Sequence, residues 1–174
     1  MTAVQPTGNV VRDDIGPQLF LERRVPADTD ETWQWLTSAA RLRRWIGTVK
    51  GEPVVGESLR VTMLESPVET VTVTRCEPGV RFALEWTAVA DTRPLVVSIA
   101  GVGAATMVYL SQRIADWRQA GEAGPRWEFA LDRLVAAQAG SALPRLADYA
   151  TQRPYYERLA LDGEPLGTET TASR

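Results

Sequence analysis

Three features of this chain predict an α+β fold, with helices gathered on one side of an antiparallel sheet. Between Leu59 and Ile114, five segments alternate apolar and polar residues at the period of two expected of strands with one packed face. From Trp127 to Gln138, apolar residues recur at three- and four-residue steps, the stripe of an amphipathic helix. These elements follow one another as a strand, two short helices, a run of strands and a long helix. Such segregated runs are the α+β pattern.

Each element has a local cause. Residues 1–16 mix Gly, Pro, Asn and Asp without a sustained period and read as a flexible leader. Gln18 to Val25 suits a first strand. Asp28 and Glu31 then form a capping box that starts a helix, and the neighbouring acids complement its dipole. That helix places Trp33, Leu36, Thr37 and Ala40 on one side and Trp35 and Ala39 on another, and a second short helix over about Arg41–Ile46 stops at Gly47.

Past the Gly51 to Gly56 turn, Leu59, Val61 and Met63 alternate with polar neighbours, and Val71 and Val73 do so among threonines. Pro78 and Gly79 turn the chain into a strand whose Val80, Phe82, Leu84 and Trp86 share a face. Residues 95–99 and Thr106 to Ile114 complete the run, the last with Gln112 in the apolar row of Val108, Leu110 and Ile114. Asp116 to Gly124 reads as a loop, with Pro125 in the first turn of the long helix and Gly140 ending it. Short helices are expected around 145–151 and 155–161, and residues 163–174 read as a disordered tail.

Composition narrows the function. At 174 residues, 44% hydrophobic and 24% charged, the chain suits one ordinary folded domain. That domain is expected over 17–140, followed by a helical extension over 141–162. A net charge of -3 offers no basic field for a phosphate backbone, so nucleic acid is not an expected partner. Arg41, Arg43 and Arg44 read as a solvated helix face. No apolar run approaches the roughly 20 residues of a membrane span, and with no secretory signal pattern the expected location is the cytoplasm.

The lone Cys76 excludes an internal disulfide and reads as a small hydrophobe on a strand. The chain has no histidine, which removes the commonest general base and metal ligand. No cofactor or metal is expected.

The stretch RRVPADTDETWQWLTSAARLRRW, followed in order by ETVTVTRCEPGVRFALEW, TMVYLSQRI and WEFALDRL, resembles the Hsp90-ATPase-activator-homologue-like proteins of the START/Bet v 1 helix-grip superfamily. The likeness spans about residues 18–140. Asp28 and Thr29 stand where the family often has prolines, Thr32 where an aliphatic residue precedes the helix Trp, and Gln112 near a frequent His. The resemblance implies a curved sheet wrapped around the C-terminal helix, with a pocket between them. Its wall would carry Phe82, Leu84, Trp86, Val97, Ile99, Val108 and Leu110 from the sheet, and Trp127, Leu131 and Leu134 from the helix. Trp45 and Met63 would stand near the mouth, and Gln112 would orient a bound molecule.

The expected function is the binding of a hydrophobic or aromatic small molecule. An enzyme similar to the polyketide cyclases and dehydratases is an alternative, with Glu85 and Tyr109 as candidates, although strand parity places both on the outer face. Glu128 and Asp132 read as exposed. A co-chaperone-like role is another alternative, and the tail with Tyr149, Tyr155, Tyr156 and Leu159 either packs on its own domain or meets a protein partner or a second copy of the chain.

Overall fold

The computed structural model describes residues 4–64, 66–86 and 94–162. Eight antiparallel strands form one sheet: β1 (Asn9–Asp13), β2 (Gly16–Val25), β3 (Gly47–Lys50), β4 (Ser58–Met63), β5 (Glu69–Glu77), β6 (Arg81–Trp86), β7 (Leu95–Val102) and β8 (Ala105–Arg113). Their spatial order is β1-β2-β8-β7-β6-β5-β4-β3, so the long excursion from β2 to β8 closes the middle of the sheet. Helices α1 (Thr29–Thr37) and α2 (Ala39–Trp45) follow β2, and the long helix α3 (Trp117–Gln138) follows β8. A 3-10 turn (Leu146–Gln152) and a last helix, α4 (Arg153–Asp162), complete the described chain.

Local chemistry accounts for the entry into α1. The Asp28 carboxylate accepts a hydrogen bond from the Glu31 amide at 2.8 Å, the first half of the expected capping box. Trp35 and Leu36 are the apolar side chains that α1 buries, whereas Trp33 is only half-buried. The Trp45 indole ties the two short helices together by donating to the Trp35 carbonyl at 2.9 Å. Arg41 and Arg44 lie over the outer face of the Trp35 ring.

Three sequence expectations are corrected. The leader contains β1, which pairs with β2 from Asn9 opposite Phe20 to Asp13 opposite Gly16. It is an edge strand whose residues are nearly all exposed, so no buried face imposed a period on it. Strand β3 went unread for a similar reason: it is four residues long. It begins at Gly47, whose φ of +138° and close approach to the Thr62 carbonyl, 2.0 Å from where a Cβ would lie, exclude a side chain.

The stretch read as a loop over 116–124 is helical, and Pro125 lies inside α3 rather than in its first turn. Asp116 is the true cap, accepting from the Gln119 amide at 2.9 Å. Gly121 and Gly124 gave the stretch its loop-like composition, but both are buried where α4 crosses. A Cβ on Gly124 would lie 2.3 Å from the Tyr156 ring. Close helix contact, not chain reversal, selects glycine there.

The inner face of the sheet supplies one continuous core with the helices, built on Leu19, Leu21, Val108, Leu110, Leu131 and Leu134. A smaller group, Leu59, Val61, Val71 and Val73, packs under the β4–β5 end. Between Val73 and Arg75 the register slips by one residue, so Cys76 rather than Arg75 faces inward.

Candidate functional site

An apolar chamber of about 130 Å³ lies between the sheet, α3 and the α1–α2 pair. Strands β4 to β8 all reach it, through Leu59, Val71, Leu84, Val97 and Leu110. Five neighbouring strands laid flat would span roughly 19 Å. A single small void can touch all of them only because the sheet curves around the helix. Trp127 and Leu131 of α3 form the opposite wall, and the chamber reaches the surface beside the exposed Pro53. Apart from the indoles, only Thr37, Thr48 and Cys76 bring polar side-chain atoms to its wall among the described residues.

Behind it lies a second chamber of about 230 Å³ with a mixed wall, where Glu69, Gln112, Gln119, Glu122 and Arg126 stand among apolar residues such as Leu64 and Ala123; it is the more polar of the two. The two spaces share Ile46, Met63, Trp86 and Trp127, which therefore form the partition. Both partition indoles point their N–H toward the polar side. Trp127 donates to the Gln112 carboxamide oxygen at 2.7 Å, and Trp86 donates to the Glu69 carboxylate. The polar residue in the apolar row of β8 thus has a reason: it holds a tryptophan across the gap.

The other side of α3 is built differently. Glu128, expected to be exposed, is fully buried and corrects that reading. Its carboxylate accepts from the Thr7 amide at 2.5 Å, the Gly8 amide at 2.8 Å, the Tyr156 hydroxyl and the Arg23 guanidinium. Arg23 also reaches Asp132 at 2.6 Å, and the Tyr149 hydroxyl donates to the same carboxylate at 2.6 Å. Burial alone would raise the Glu128 pKa, but the hydrogen bonds and the Arg23 charge outweigh it and hold the carboxyl below its ordinary value. Burial, followed by hydrogen bonding to the neighbouring carboxylates, pushes the Tyr149 and Tyr156 phenols up.

This cluster fastens the N-terminal segment and α4 to the domain. Among the residues read as available for a partner, Tyr149 and Tyr156 are buried within the chain itself. The expected tail at 163–174 lies outside the described residues.

Of the sequence-derived site residues, Trp45, Met63, Phe82, Leu84, Trp86, Leu110, Trp127 and Leu131 line the apolar chamber. Gln112 lines the polar one instead. Leu134 reaches neither; it is fully buried a turn further along α3, in the solid core. Glu85 and Tyr109 line neither chamber, and Tyr109 stacks on Phe20 at 6.2 Å between ring centroids.

Sequence reasoning missed Leu59, Val61, Val71 and Val73, although their alternation was plain. Only the bend of the sheet brings them to the same void. Glu69, Gln119 and Arg126 carried no signal, since rim residues of a polar chamber look like any solvated surface. Among the described residues, no group of three or more Cys, Asp or Glu side chains is placed to hold a metal ion, and no helix is long and apolar enough to cross a membrane.

No family model matches the sequence, and no curated protein matches it. Solved structures do. CalU16 from Micromonospora echinospora is 22% identical, with 91% of this chain and 99% of that one aligned at a TM-score of 0.72. The chain has a helix-grip fold. A conserved protein of unknown function from Enterococcus faecalis, 17% identical, aligns over 91% of this chain and 92% of its own at a TM-score of 0.74. DynU16, from the dynemicin biosynthetic locus, is 21% identical over 74% of this chain, which corresponds to 49% of DynU16, at a TM-score of 0.66. These likenesses establish the architecture of the chain.

Proposed function

We propose that the protein binds a hydrophobic or aromatic small molecule in the apolar chamber between the sheet and α3. The observation that carries this reading is the wall itself: Trp45, Phe82, Trp86 and Trp127 converge with aliphatic residues on a space that has almost nothing to hold water. An apolar cavity of roughly 150 Å³ stays dry and accepts benzene. The 130 Å³ here is of that class. Burying roughly 150 Å² of an aromatic ring at ~25 cal/mol per Å² gives about 4 kcal/mol, which corresponds to millimolar binding without further contacts.

The opening motif supports placing the chain with the Hsp90-activator-homologue-like proteins, and the likeness to DynU16 supports a small molecule as the occupant, since that protein is encoded in a biosynthetic locus. The cyclase-like alternative finds less support: no carboxylate or phenol lines the apolar chamber among the described residues.

Toluene at saturation should raise the Tm, by about 2–4 °C for each kcal/mol of the stabilisation RT ln(1 + c/Kd), with c the toluene concentration, in a chain of this length. Leu110→Trp, which fills the chamber, should abolish the shift. A wild-type protein whose melting is indifferent to toluene overturns the reading.

A further inference from the structure

The two chambers touch across a partition that is itself hydrogen-bonded from one side. Gln112 is the residue on which this arrangement turns. It is 9% exposed and faces inward from β8, where it meets the polar chamber. An indole N–H can only donate, so the bond from Trp127 fixes which end of the carboxamide is which: the oxygen is occupied and the –NH2 is left over. That –NH2 has no hydrogen-bond partner among the described residues. It is not one of the fully buried atoms left without a partner, so it is open to the chamber, where it meets water or the acceptor of a bound molecule.

The neighbours restrict what that molecule carries. Among the described residues, Glu69 and Glu122 line the same chamber with one cation, Arg126, whose guanidinium is engaged with the Ser66 hydroxyl. A carboxylate brought to Gln112 would face two like charges. A neutral oxygen would not.

We propose that the two chambers form one bipartite site for a neutral amphiphile, whose apolar ring occupies the inner chamber and whose carbonyl oxygen accepts a hydrogen bond from the Gln112 carboxamide. This inference rests on the binding function proposed above and adds the chemical class. Together the chambers reach the roughly 300 Å³ at which small-molecule sites begin. The ligand is then a ring joined through a short arm to a ketone or amide, not a fatty acid and not a plain hydrocarbon.

The test compares three probes that share a phenyl ring: butylbenzene, 4-phenylbutan-2-one and 3-phenylpropanoate, with dissociation constants measured by calorimetry. The wild-type protein should hold the ketone at least as tightly as the hydrocarbon, despite the ketone's better solvation in water, and the carboxylate at least tenfold more weakly than the ketone. Gln112→Leu should weaken the ketone relative to butylbenzene by about three- to tenfold, the loss of one hydrogen bond. Because that change also removes the acceptor for Trp127, Gln112→Met serves as the second variant. Its thioether keeps a weak acceptor for the indole, carries no donor and adds no charge, and it should produce the same relative loss.

Glu69→Gln, which preserves an acceptor for Trp86, should narrow the gap between carboxylate and ketone. If butylbenzene binds and the ketone-to-hydrocarbon ratio is the same in wild type and both Gln112 variants, this inference is wrong while the apolar chamber stands. If butylbenzene does not bind at all, the underlying function fails and takes the inference with it.

Discussion

Trp127 and Glu128 are adjacent on α3, yet they face two regions that follow opposite rules. Trp127 borders empty space and makes one hydrogen bond to do so; Glu128 is fully buried and accepts from the N-terminal segment, from Arg23 of β2 and from Tyr156 of α4. On one side of the helix, packing is left incomplete. On the other, nearly every polar requirement is met and glycines are needed to let α4 approach. The contrast gives the fold a division of labour: a hollow of this kind lowers stability by about 24 cal/mol for each Å³ left unfilled, and the dense side keeps the helix from collapsing into it. A cavity survives only where something else fixes its walls.

The largest expected effect therefore comes from the dense side. Glu128→Ala leaves the half-buried Arg23 with Asp132 as its one remaining carboxylate partner and takes the carboxylate acceptor from the Thr7 and Gly8 amides, and should cost about 3–5 kcal/mol in urea denaturation, the range for breaking a buried pair. The Glu128 carboxyl has its pKa held below the unfolded value, so its contribution is complete above the ordinary glutamate range and is lost as the pH falls through the depressed folded value. Glu128→Gln should accordingly lose stability at pH 7 and flatten the acid limb of a stability-against-pH curve below about pH 4.5. A variant with an unchanged acid limb would show that Glu128 is not the group that fastens the termini.

The same contrast explains what could be read from the sequence. Strands β4 to β8 and the Trp127 stripe announce themselves because each presents one apolar face, and a half-buried element must alternate. From them the fold class followed, whereas a pocket between sheet and helix was implied only by the family resemblance, because alternation says which face is apolar and not how far the sheet bends. Glu128 gave no such signal: a lone acid on a helix is nearly always solvated, and only the arrival of Arg23 from β2 and Tyr156 from α4 changes its meaning. The helical start of α3 was hidden for the same reason, since Gly121 and Gly124 look like turn residues until the partner that crowds them is known. Long-range partners decide these positions, and one sequence does not display them.

Adding a single carbon measures the difference directly. Gly124→Ala should stabilise a helix by about 1 kcal/mol on propensity alone. Here the new Cβ would fall 2.3–2.6 Å from three carbons of the Tyr156 ring, which is itself fully buried and cannot swing aside. The clash should win, with a net loss of about 1–3 kcal/mol by thermal or urea unfolding. A neutral or stabilising result would mean that α4 is loosely seated and that the dense side is not dense.

Val97→Ile adds one carbon on the other side of the sheet's core, where Val97 is nearly buried yet borders the apolar chamber. Space for a methylene already exists there, so no neighbour has to move, and the added group gains dispersion contacts and removes apolar wall from a void. The expected change is a gain of about 0.5–1 kcal/mol, the common yield of filling a cavity. It should come with weaker toluene binding, because the gain and the ligand compete for one space. That pairing is what separates a hollow from ordinary packing. In a solid core the same substitution would overpack and lose stability, as Gly124→Ala does, and ligand binding would have nothing to lose.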